Sequence, residues 1–170
     1  MQESRAEAPA SRHGLLFDLS PIDLSARLRS KSDIESFLPH RGQMSLLDAV
    51  IWEHPEHLRA VAIKHVRSDE FWVAGHFPGH PTFPGVMMIE AGAQLACYEF
   101  MARKSGPTLV AFLRIENAAF RAAVAPGDDL YLLCHDVKVG RRQFTSDIQG
   151  VVRGHLAFEA RLSGMVTAKS

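Results

Sequence analysis

Along the second half of the chain, apolar positions recur with period two. Tyr131, Leu133, Val137 and Val139 fall on one parity, as do Phe144, Ile148 and Val152, and then Leu156, Phe158, Ala160 and Leu162. That period marks a strand with one face against a core, so three strands are predicted. The turns Val139-Gly140-Arg141-Arg142 and Arg153-Gly154-His155 join them as an antiparallel meander, with residues 109–115 as a fourth member. Earlier, the β-rich stretches 46–52 and 58–66 flank a polar turn at His54, Pro55 and Glu56, which reads as a hairpin.

Between the two β regions the pattern changes. From Val86 to about Lys104 nearly every helical face is apolar, and Glu90 and Gln94 are the only strongly polar residues in the first three turns. A helix apolar all round is buried. Gly92 in its interior costs about 1 kcal/mol relative to alanine, which points to close packing against a sheet. The expected fold class is α+β, an antiparallel β-sheet of five to seven strands wrapped around a central buried helix. Ser32 and Glu35 have capping-box spacing for a short helix through Phe37, ended by Pro39. Residues 1–31 read as an N-terminal extension, mobile to about residue 13 and then able to dock LLFDLSPIDL as an edge element. Residues 32–170 read as a single domain.

Composition narrows the function classes. Lysine plus arginine and aspartate plus glutamate are 19 each in 170 residues, so no global field favours nucleic acid or an anionic membrane. Cys97 and Cys134 have no metal-ligand spacing and read as free thiols. Pro78 between His76 and His80 excludes a helical metal pair, and neither metal nor cofactor is expected. No segment reaches the roughly 20 apolar residues of a membrane span, and the N-terminus lacks a secretory apolar run, which predicts a cytoplasmic protein. The sequence has no GxSxG, P-loop or GxGxxG, which weighs against a serine hydrolase, an NTPase and a nicotinamide oxidoreductase.

The chemistry concentrates in GHFPGHPTFPGV. Pro78, Pro81 and Pro84 fix φ and delete backbone donors, so the segment is a stiff loop. It delivers the chain to a helix start at Gly85 and Val86, whose amides lack intrahelical acceptors and suit a developing oxyanion. His76 is the candidate base. Glu90, just over one turn into an apolar helix, must be protonated or have a dedicated partner, and is the candidate acid. Base and acid are expected to face one cavity with the amides between them, and Gln94 to orient Glu90 or a water.

These segments resemble one family, the 3-hydroxyacyl-[acyl-carrier-protein] dehydratases of type II fatty acid synthesis, which have the hot-dog fold. The matching pieces are LPHRGQMSLLDAV, GHFPGHPTFPGVMMIEAGAQ and FRAAVAPGDDL, in the family's order over roughly residues 37–165. The resemblance implies a hydro-lyase in fatty acid or related lipid biosynthesis. In it, the residue matching His76 removes the C2 proton, Glu90 protonates the departing C3 hydroxyl, and the Gly85 amide polarises the thioester carbonyl. It also implies acyl carrier protein as partner, and a homodimer, or a trimer of dimers, with His76 and Glu90 facing across the subunit interface. Glutamate at 90, where the isomerase branch carries aspartate, implies dehydration without isomerisation.

Phe77, Phe83, Met87 and Tyr98 are the expected lining of an acyl tunnel. Arg103, Lys104, Arg121, Arg141 and Arg142 are the expected basic rim for the acidic carrier. Gly42, Gln43 and Ala49 depart from the family pattern beside the first motif, as Arg114 and Ala118 do before the third. The alternatives are a hot-dog enoyl-CoA hydratase or acyl thioesterase, or a non-enzymatic acyl-binding hot-dog protein.

Overall fold

The alternating stretches become long strands because each buries one face against the same helix. In the computed structural model, which describes residues 14–104 and 109–167, the elements are β1 (Arg29–Ser30), α1 (Lys31–Phe37), a 3-10 turn (Gly42–Met44), β2 (Ala49–Glu53), β3 (Arg59–His65), α2 (Gly85–Ala102), β4 (Val110–Phe120), β5 (Asp129–Val139), β6 (Gln143–Val152) and β7 (His155–Val166). All pairings are antiparallel, in the order β1-β2-β3-β5-β6-β7-β4. The meander β5-β6-β7 and the hairpin β2-β3 stand as the sequence predicts. β4, at the sheet's end, pairs with β7 alone.

The sheet curls around α2, whose Met88, Ile89, Leu95, Phe100 and Met101 enter one core with Val50, Leu132, Phe144, Ile148, Phe158 and Leu162. This is the hot-dog arrangement. Gly92 is where helix and sheet come closest: a Cβ there would lie 2.6 Å from Ile148 Cδ1. The glycine's cost in helix propensity is thus offset by contact that alanine would obstruct.

The structure revises three expectations. The short helix starts earlier, because Ser30 rather than Ser32 is the N-cap, and its reciprocal partner is Asp33 rather than Glu35. The same S-x-x-acid spacing occurs two residues upstream. Second, Tyr131 and Leu133 of β5 face outward. The face turned to α2 carries Leu130, Leu132 and Cys134. Both parities of β5 are apolar because both faces are covered.

The outer cover is the third revision. Residues 15–24 form no strand; their apolar side chains pack over Val61, Ile63, Leu133 and Val151, with Phe17 only 5% exposed. Gln149 clamps the segment, accepting from the Leu16 amide at 2.8 Å and donating to the Gly14 carbonyl at 3.0 Å. The strand contributed by the extension is β1, whose Arg29 and Ser30 pair with Val50 and Ala49 of β2. The expected mobile tail, residues 1–13, lies outside the described residues.

Candidate active site

The loop that carries His76 leaves β3 and returns to α2, and buried polar contacts hold it. Lys64 points from β3 into the core side, 1% exposed, and donates to both oxygens of Glu70 at 3.0 Å. Glu70 also accepts from the Arg67 amide at 2.8 Å and the Trp72 indole at 3.1 Å. Burial alone would raise the Glu70 pKa, but these donors outweigh it and hold the carboxyl below its ordinary range. Burial draws Lys64 below its usual range, against the pull of Glu70. Both ends of the loop are tied to the third motif, the far end through Phe83 N to Val124 O (2.7 Å) and the near end through Gly127 N to Val66 O (2.8 Å).

Trp72 passes this anchoring on. Its carbonyl accepts from His76 N at 2.8 Å, and its ring packs on Phe83 at 5.3 Å. The peptide bond between His76 and Phe77 is cis. His76 Nδ1 lies 2.7 Å from the Thr82 carbonyl oxygen. A carbonyl only accepts, so in the neutral ring Nδ1 carries the proton and Nε2 the lone pair. The proline loop therefore fixes the tautomer that a general base requires. Beside it, the Gly85 and Val86 amides have no acceptor among the described residues, and both residues line a cavity of about 520 Å³ with His76 and Phe120. A Cβ at 85 would come 2.7 Å from the Phe120 ring, so glycine lets that ring lie close over the helix start.

Glu90 has a dedicated partner. His40 Nε2 sits 3.4 Å from Glu90 Oε1, and Gln94 donates to the same oxygen at 2.9 Å. The His40 contact is the chief reason the Glu90 carboxyl lies below its ordinary range; burial opposes it and Gln94 assists. Gln94 also donates to Met44 O (2.8 Å) and accepts from Leu46 N (3.0 Å), fastening Glu90 to the first motif. His40 stands in the LPHR segment of the first motif and carries no expected role in the sequence. The motif was visible, but nothing in it says which way an imidazole after Pro39 will turn.

One expectation fails within a single chain. Glu90 lines a separate cavity of about 80 Å³ with His40, Gln94, Cys97, Phe112 and Phe144, not the His76 cavity. Five residues along a helix rotate a side chain by about 140°, so Gly85 and Glu90 point to different sides of α2. Of the expected tunnel residues, Phe83 lines the His76 cavity and Phe77 stacks on the His76 ring at 4.1 Å. Met87 is half-buried against the core. Tyr98 lies elsewhere, donating to Glu53 and packing edge-on against Phe37.

The basic rim divides. Arg103 is bound to Asp136 and Arg121 to Glu159. Lys104, whose ammonium donates to the Arg141 carbonyl at 2.9 Å, groups with exposed Arg141 and Arg142 at the β5–β6 turn. Among the described residues, no His, Cys, Asp and Glu cluster has metal-site geometry, and no helix is long and apolar enough to cross a membrane.

A helix sheathed in a single antiparallel sheet, entered through a proline-stiffened histidine loop, defines the hot-dog fold. The dehydratase heterocomplex ApeI:P from Xenorhabdus doucetiae shares the fold, with a TM-score of 0.70 at 19% identity over 80% of this chain and 91% of that one. The FabA-like domain family matches residues 38–161, and the chain belongs to that family. It is 38% identical to the 3-hydroxyacyl-[acyl-carrier-protein] dehydratase FabZ of Janthinobacterium sp. (strain Marseille), over 77% of this chain and 86% of that protein. It is also 34% identical to the bifunctional enzyme LpxC/FabZ of Chlorobaculum tepidum, over 92% of this chain but 31% of that longer protein.

Proposed function

We propose that the chain dehydrates (3R)-3-hydroxyacyl thioesters of acyl carrier protein to trans-2-enoyl thioesters, in fatty acid or related lipid biosynthesis in the cytoplasm. The observation that carries this reading is His76, held through Nδ1 by the Thr82 carbonyl, in one cavity with the Gly85 and Val86 amides. Nε2 takes the C2 proton while the amides hold the charge growing on the thioester oxygen. The electron pair left at C2 forms the C2–C3 double bond, the C3–O bond breaks, and the hydroxyl takes a proton from the Glu90–His40 pair and leaves as water. The chain's likeness to FabZ relatives supports the substrate class.

The acid comes from a second copy. β4 is an 11-residue strand at the end of the sheet, with Phe112, Leu113, Ile115 and Phe120 about half exposed. A long apolar edge of this kind invites strand pairing between copies. A homodimer through β4 brings Glu90 of one copy towards His76 of the other. Lys104, Arg141 and Arg142 form the patch suited to an acidic carrier.

The test follows enoyl formation from 3-hydroxyacyl-carrier protein. His76→Ala and Glu90→Gln should each lower kcat by at least about a hundredfold, the scale of general acid–base catalysis. Mixing and re-forming the two inactive variants should restore about a quarter of wild-type activity, because half the dimers are mixed and each holds one intact site. Full activity in either single variant overturns the assignment, and no recovery on mixing overturns the shared site.

A further inference from the structure

A substrate whose C3 hydroxyl meets Glu90 must send the rest of its chain onward from that point. The cavity touching Glu90 runs along one face of α2, since Glu90, Ala93, Gln94 and Cys97 recur at one-turn spacing. At 1.5 Å per residue, Glu90 to Cys97 spans about 10 Å. Beyond Glu90 and Gln94 its walls become apolar, with Val110 and Phe112 of β4 on one side.

Phe144 of β6 also lines the cavity. This ring is 1% exposed and packs on Phe100 with centroids 4.9 Å apart. Its cross-strand partner is Gly164, where a Cβ would come 2.7 Å from Phe144 Cζ. The ring thus already occupies the space a side chain at 164 would need. The Cys97 thiol, pushed up to about 12 chiefly by burial, lines the wall as a neutral apolar group.

Resting on the dehydratase reading above, we infer that this cavity is the acyl subsite and that Phe144 and Cys97 close it, making the enzyme selective for short and medium acyl chains. At about 80 Å³ the cavity has room for only a handful of methylenes beyond C3. Chains up to about ten carbons fit; palmitoyl-length chains do not.

The experiment measures kcat/KM on carrier thioesters of four, eight, ten, fourteen and sixteen carbons for the full chain, Phe144→Leu and Cys97→Leu. Wild type should fall at least about tenfold between the eight- and sixteen-carbon substrates, the scale of apolar-pocket discrimination. Phe144→Leu should raise the sixteen-to-four ratio by about tenfold, and Cys97→Leu, which narrows the subsite, should lower the eight-to-four ratio similarly. If Phe144→Leu does not fold, Cys97→Leu still decides. A sixteen-carbon substrate handled as well as the eight-carbon one, or an unchanged ratio in Cys97→Leu, overturns the inference. If no length is dehydrated, the dehydratase reading fails, while calorimetric binding of the acyl-pantetheine series still reads the cut-off at about ten carbons or its absence.

Discussion

At the scale of residues, His40 is the group that sets Glu90. A leucine at 40 removes the main cause of the lowered Glu90 pKa and leaves burial, which acts upward. The limb of the kcat/KM pH profile that belongs to Glu90 should therefore move to higher pH in His40→Leu. A profile superimposable on wild type would show that His40 does not govern the acid. His76, Gly85, Glu90 and Gln94 were legible in the sequence because proline spacing and helix phase constrain them. The His40 contact was not, because it depends on how the 3-10 turn at Gly42–Met44 folds back against Gln94.

At the scale of elements, α2 and the meander follow from periodicity, which is a local property. What periodicity cannot reveal is which apolar face of a strand meets the helix. In β5 both faces are apolar, and only the packing of residues 15–24 explains why. Nor does it reveal that a lysine inside AVAIKHV is buried. Lys64→Met leaves Glu70 without its cation beneath the catalytic loop, and removing one partner of a buried pair costs about 3–5 kcal/mol. Urea unfolding should show a loss of that order, and kcat should drop more than KM rises because His76 hangs from Trp72. Unchanged stability and kcat would mean that the backbone ties at Phe83 and Gly127 suffice.

At the scale of the whole molecule, one buried group couples stability to pH. Glu99 is 0% exposed, and neither of its oxygens has a partner among the described residues. Burial first, and then neighbouring Asp136, push its pKa up to about 8 from 4.5, with Arg103 opposing. Between those values the folded chain holds a proton that the unfolded chain releases. Its contribution is complete below about pH 4.5 and is lost as pH rises towards 8, by an amount on the order of a few kcal/mol. Tm should fall between pH 6 and 9 in wild type and flatten in Glu99→Gln; equal slopes would assign the dependence elsewhere. The exposed edge acts at the same scale. Leu113→Glu places a charge on β4 and should shift light-scattering mass to that of one chain, with activity lost in parallel. A dimer that survives would move the interface away from β4.

The clamp of Gln149 on the N-terminal segment bears on how the protein can be handled. Cutting the chain back to residues 38–161, the span shared with its family, would strip the cover from Val61, Ile63, Leu133 and Val151 and leave a greasy slab facing water. Such a trimmed protein should precipitate or stack back to back during purification, whereas one beginning at residue 14 should stay dispersed.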